Sequence, residues 1–319
     1  LIQKIILIRK IFEEKGYLMK LRLFVITLIL VTSACSQQKE EYTQRTLTKD
    51  YREVSQYKSI GELAKAAKAN DPEALFVLAS MYATGEGEKI DQKKAFELFE
   101  KSAKLGSSNA MLQLGLIYRN GNGLIKKDDL KALKWFEQGT NKGNPSAIHN
   151  LGVSYYKGLG VTEDKTKAFK YFSQSAELGL LQSQIIVAGL LYNGEGVTKD
   201  HKKAFEWALK AANQGDVESQ NNIGLAYENG DGVAKDPVLA KEWFEKAANN
   251  GFVLGQYNLA LKYLDGNGVE QNFSKSIEYR EKAANAQNKD AIQLLVDIYS
   301  NDRNPEYNPE KANYWKSKI

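Results

Sequence analysis

Pairs of glycines recur along this chain at Gly85 and Gly87, Gly121 and Gly123, Gly158 and Gly160, Gly194 and Gly196, Gly230 and Gly232, and Gly266 and Gly268. The steps between successive pairs are 36, 37, 36, 36 and 36 residues. A period this regular describes a chain built from stacked copies of one small unit rather than folded around a single closed core. A second series, Gly106, Gly143, Gly179, Gly215 and Gly251, runs half a period out of phase. Each unit therefore reverses direction twice and holds two helices. The 319 residues are too many for one compact core of ordinary size, and repeats avoid that limit because each unit buries one face against the next.

The formal charge of +5 does not point to nucleic acid. Residues 1–35 carry six Lys/Arg against two Asp/Glu, so +4 of the +5 lies outside the repeats. The nearly neutral body argues against a phosphate-binding surface. The single cysteine, Cys35, follows Lys20, Arg22, an apolar run from Leu23 to Val31, and Thr32-Ser33-Ala34. The run is short for a permanent membrane span, and the segment resembles a bacterial lipoprotein signal cut before a cysteine that then takes a lipid. It departs from the usual pattern in having Thr32 where leucine is common. Met19 is placed to start such a signal, which makes residues 1–18 an expected non-native upstream extension, 19–35 the signal peptide and 36–54 a polar, flexible tether. Fully stretched, the tether reaches roughly 60 Å at about 3.3 Å per residue. Ser36 after the lipid cysteine would, by the rules of that family, favour the periplasmic face of an outer membrane.

The repeats run 71–106, 107–143, 144–179, 180–215, 216–251 and 252–288, with caps at 55–70 and 289–319. Ala110, Leu114, Gly115 and Tyr118 in the second unit, and Ala147, Leu151, Gly152 and Tyr155 in the third, share one face of a first helix. A small residue at one point of that face (Ala79, Gly115, Gly152, Gly189, Gly224, Ala260) admits a neighbouring helix at close range. Asp91, Asp128, Asp164, Asp200 and Asp236 each stand a few residues before the apolar stripe of a second helix, where an aspartate caps the helix start. One aspartate per period lies far from its copies, so no metal site is expected. The glycine pairs lack a following Lys-Ser/Thr and a preceding strand, so they read as turns needing positive φ rather than as phosphate loops. No cofactor is expected. In the sixth unit Arg280 replaces the usual apolar residue.

The recurring pattern is seen nearly whole in Ile223-Gly224, Tyr227, Gly230, Gly232-Val233, Asp236, Ala240, Trp243-Phe244 and Lys246-Ala247-Ala248. It resembles the Sel1-like repeats, relatives of the tetratricopeptide repeats. That resemblance covers residues 57–319 and implies an all-α, right-handed α-solenoid of helix-turn-helix repeats, with a concave face that binds protein. By analogy with related repeats, the residues pointing into that groove are Phe76, Leu112, Arg119, His149, Tyr156, Ile186, Asn193, Asn221, Glu228 and Tyr257. They change chemistry from unit to unit while the packing positions do not. The two histidines, His149 and His201, fall at different repeat positions, and no catalytic triad can be assembled from motifs. The function expected is a non-catalytic scaffold, held in the cell envelope by a lipid on Cys35 and gripping a protein partner. Two alternatives follow from relatives: an immunity protein that blocks an antibacterial lipase-type effector, and a cell-wall or β-lactam hydrolase. The second is disfavoured because the repeat body has no cysteine pairs.

Overall fold

The computed structural model describes Tyr57 and residues 60–86, 88–302 and 306–318. The expectations for residues 1–54, Cys35 among them, lie outside these residues. Fifteen helices and no strand form among the described residues. They are α1 (Ile60–Lys68), α2 (Pro72–Thr84), α3 (Gln92–Lys104), α4 (Ser108–Asn120), α5 (Asp129–Asn141), α6 (Pro145–Lys157), α7 (Lys165–Glu177), α8 (Leu181–Asn193), α9 (His201–Asn213), α10 (Val217–Asn229), α11 (Pro237–Asn249), α12 (Val253–Asp265), α13 (Phe273–Asn285), α14 (Lys289–Ser300) and α15 (Pro309–Lys316). From α2 onward, even-numbered helices are the first members of hairpins and odd-numbered helices the second. This is an all-α repeat fold of the solenoid kind. The chain divides into two compact units, one ending at Gly189 and one beginning at Leu190.

The aspartate caps are built as the sequence implies. Asp91, Asp128, Asp164 and Asp200 accept the backbone N–H three residues on, from Lys94, Lys131, Lys167 and Lys203, at 2.8–3.0 Å. Asp236 accepts from Val238 and Leu239. Asn272 and Asn308 do the same work for α13 and α15. Each cap stabilises its helix by about 1 kcal/mol. The cap's own N–H closes the hairpin by donating to the carbonyl of Tyr82, Tyr118, Tyr155, Tyr227, Tyr263 or Tyr299, and in the fourth repeat of Leu191.

In the second, third and fifth hairpins the second helix lays an aromatic ring on the backbone of the first. A Cβ on Gly152 would stand 2.9 Å from the Phe172 ring, and Gly115 and Gly224 meet Phe136 and Phe244 in the same way. These rings are buried. The missing side chain is what lets the two helices touch, offsetting the roughly 1 kcal/mol that glycine costs inside a helix. Between hairpins, the second glycine of three of the pairs does more than turn the chain. Gly160, Gly232 and Gly268 have positive φ, and their Cα atoms rest on the first turn of the preceding repeat's second helix. A Cβ there would collide with the carbonyl oxygen of Asp129, His201 and Pro237 respectively. Each of these three turns is thus part of the contact between repeats, whereas a Cβ on Gly123 would meet nothing within 4 Å.

The ends are covered. Leu63 and Ala67 of α1 join the core of α2 and α3, and the Tyr57 hydroxyl donates to Asp71 at 2.8 Å. At the far end Ile292, Leu295, Tyr299 and Trp315 of the α14–α15 hairpin pack on Ala283 and Ala284.

Candidate interaction surface

Aligning the helices by their caps defines two positions on each first helix beside the buried ring. The first lies three residues before the small residue and holds Phe76, Leu112, His149, Asn221 and Tyr257. The second follows the hairpin-closing residue and holds Ala83, Arg119, Tyr156, Glu228 and Leu264. The fourth repeat departs from its expected register. Asp200 N–H donates to Leu191 and Gly194 N–H to Leu190, so Leu191 stands where other repeats have tyrosine, and the small residue is Ala188 rather than Gly189. The equivalents there are Ile185 and Tyr192, not Ile186 and Asn193. Tyrosine at 192 attracted the sequence alignment to itself, whereas backbone hydrogen bonds place Leu191 in that role.

Phe76, Leu112, His149, Ile186 and Asn221 are buried, so none of them presents an open surface in this conformation. Phe76 packs on Phe99 with ring centroids 5.8 Å apart, and His149 on Phe172 at 5.4 Å. Leu112 belongs to the cluster around Phe136. Asn221 Oδ1 accepts from Asn258 Nδ2 of the next repeat at 2.8 Å. Phe76, Leu112 and His149 are covered by the ring of the second helix, and His149 and Asn221 also bond to the following repeat, through Ser183 and Asn258. Helical periodicity identifies the face but not that depth.

Arg119, Tyr156, Asn193, Glu228 and Tyr257 are half-buried. The Arg119 guanidinium lies 5.2 Å from the Phe136 centroid, and the Tyr156 ring 6.4 Å from Phe172. Lys165 Nζ sits 5.3 Å from the Tyr156 ring. The Tyr192 ring packs at a tilt against His201, with centroids 4.6 Å apart. Glu228 is held by an ion pair with buried Lys262 and accepts from Asn267 Nδ2, both of the next repeat. Its first role is therefore to join two repeats. Tyr257 packs against the C-terminal core cluster.

His149 is fixed by a chain of hydroxyls. Ser175 Oγ donates to the Pro145 carbonyl at 2.8 Å, and Ser183 Oγ donates to Ser175 Oγ at 2.8 Å. The Ser183 proton is thereby committed, so at the 2.8 Å contact His149 Nδ1 must be the donor. The imidazole is neutral, its pKa pushed down from the usual 6.5 to about 3, first by burial and second by the Arg119 charge. The unfolded chain takes up this proton near pH 6.5 and the folded chain does not, so stability is full above pH 6.5 and falls as the pH drops toward 3. Between pH 7.5 and 5.5 the native protein is expected to lose about 1.4 kcal/mol more than His149→Leu, which copies the second repeat. Urea unfolding of both proteins at the two pH values tests this. Equal losses would show that the imidazole is protonated in place.

A nucleophilic role for Ser183 fails on access, because it is fully buried beneath the histidine. Among the described residues no group of three or more His, Cys, Asp or Glu is placed to hold a metal.

Comparison with known proteins agrees with this architecture. The family model described as Sel1 repeat matches residues 72–107, 108–144, 145–180, 181–216, 217–252 and 253–288. Among solved structures, the chain is similar to c5321, a protective antigen present in uropathogenic Escherichia coli strains and displaying an SLR fold. The identity is 33% and the TM-score 0.76, over 82% of this chain and 56% of that one. The chain thus spans little more than half the length of that relative. It is also similar to a Sel1 repeat protein from Oxalobacter formigenes, with 27% identity and a TM-score of 0.59 over 81% of this chain and 98% of that one. None of the curated proteins compared with it matches.

Proposed function

Because the chain belongs to the Sel1 repeat family, we propose that it is a non-catalytic scaffold that grips a protein partner along its first-helix faces, anchored in the cell envelope by a lipid on Cys35. The observation that carries this reading is a contrast within the chain. The caps and small residues recur from repeat to repeat and the buried ring in four of the six, while the position after the hairpin-closing residue reads Ala83, Arg119, Tyr156, Tyr192, Glu228 and Leu264 and is half-buried throughout. A position that is structurally equivalent yet changes chemistry along the chain, with only Tyr156 and Tyr192 alike, serves recognition better than packing. Tyrosine and arginine are also the side chains that most often dominate binding energy.

Affinity capture with the full chain, followed by measurement of the captured partner's affinity, tests the surface. Changing Arg119 and Tyr156 together to alanine is expected to weaken that affinity at least about 30-fold, since anchors of this kind contribute roughly 1–2 kcal/mol or more each. Changing Glu97, Lys134 and Lys170 on the second helices should leave it unchanged. Unaltered affinity in the first variant, with helicity intact, would exclude this surface. The anchor is tested separately: Cys35→Ser is expected to release the protein from membranes, and retention of the variant would refute lipidation.

A further inference from the structure

In the second and third repeats the buried ring is covered from the first helix by a side chain of its own repeat, the Arg119 guanidinium over Phe136 and the Tyr156 ring against Phe172. The fifth repeat borrows its cover from the next one, with Lys262 Nζ 5.9 Å from the Phe244 centroid. In the first repeat Phe99 has its partner at the earlier position, Phe76, but the covering position is Ala83, which ends at Cβ. A hollow of about 290 Å³ opens there. Its walls include Ala83, Phe96 and Phe99, with the amide residues Gln92, Gln113, Asn120 and Asn122. Gln92 Nε2 donates to the Ala83 carbonyl at 2.9 Å, which leaves the Gln92 oxygen as an acceptor.

We propose that this hollow is a subsite for an arginine side chain of the protein partner, which covers Phe99 as Arg119 covers Phe136. The inference rests on the scaffold reading and adds what the partner must present. Three features select arginine. The second repeat shows a guanidinium as the natural cover for this ring. Among the described lining residues none is charged, which suits a planar, weakly hydrated cation that stacks on aromatic faces better than a compact ammonium ion that needs a carboxylate. The Gln92 oxygen is an acceptor for a group that has only donors.

The test uses the full chain with ¹³C-labelled phenylalanine rings, titrated through the millimolar range with N-acetyl-arginine amide, N-acetyl-lysine amide or N-acetyl-tyrosine amide. Saturable shifts of the Phe96 and Phe99 resonances with the arginine probe are expected, at least about tenfold weaker with lysine and absent with tyrosine. Both Ala83→Arg and Ala83→Met fill the space from within and should abolish the response. No saturable shift with arginine, an equal or stronger response to either other probe, or a response that survives in a folded Ala83 variant would overturn the proposal. Because the titration needs no partner, failure of the subsite can be told apart from failure of the scaffold reading. A silent hollow beside partner binding that depends on Arg119 and Tyr156 removes only the subsite, and the converse result removes only the wider surface.

Discussion

Gly232→Ala is expected to destabilise the C-terminal unit by about 3 kcal/mol or more, whereas Gly215→Ala should cost only about 1–2 kcal/mol. Both glycines have positive φ, +75° and +94°, so both substitutions meet the same backbone penalty. They differ in surroundings. Nothing lies within 4 Å of a Cβ built on Gly215, while one on Gly232 strikes the His201 carbonyl oxygen and carbon and the Lys202 nitrogen. Those are backbone atoms in the first turn of α9, which cannot swing aside as a flexible side chain would, so the hairpins themselves must separate. The damage should appear at the α9–α10 junction. Amide hydrogen exchange is the suitable measurement, since repeat proteins open locally as well as globally. Protection should fall in α9 and α10 of the Gly232 variant and change little in the Gly215 variant. Equal losses in the two would mean that the glycine pair serves the turn alone and has no part in joining repeats.

That distinction was only half legible in the sequence. The period, the hairpins and the aspartate caps could all be read directly, because each depends on a local rule: a residue type at a fixed distance from a helix start. The need for positive φ was readable for the same reason. The contact from Gly232 to the preceding repeat was not, because it joins residues 31 apart and leaves no mark that a turn alone would not leave. The candidate surface divides along the same line. Arg119, Tyr156 and Glu228 stand at equivalent places on their helices, as counting residues implies. His149 is covered by the Phe172 ring and bonds to Ser183 of the next hairpin, and Asn221 bonds to Asn258 of the next repeat; counting cannot supply these contacts. The fourth repeat shows the other limit. Leu191 occupies a tyrosine position, so side-chain identity pointed one residue too far and only the backbone hydrogen bonds of Asp200 and Gly194 restored the register.

Arg280 is the place where the repeat pattern is broken at greatest cost, and its replacement by phenylalanine is expected to stabilise the C-terminal unit by about 1–4 kcal/mol. Counting eight residues from the cap places Arg280 where Phe99, Phe136, Phe172 and Phe244 lie in other repeats. It is only 1% exposed, and neither Nε nor Nη2 has a hydrogen-bond partner. Burial holds its pKa down at about 10, against smaller opposing effects of Tyr257 and Asp265. A buried guanidinium with unanswered donors loses hydration that its surroundings do not replace. A phenylalanine would meet Ala260 on the first helix, a pairing the first repeat already uses between Ala79 and Phe99. Increased hydrogen-exchange protection in α13 and α14 of Arg280→Phe is the expected result. Arg280→Ala should instead lose protection, because it removes the charge but leaves a void where a large side chain was packed. If Arg280→Phe also lowered protection, the guanidinium would have to be satisfied in solution, by water or by Asp265, better than a ring could pack. A gain would mean that the sixth repeat retains its arginine at the expense of its own stability.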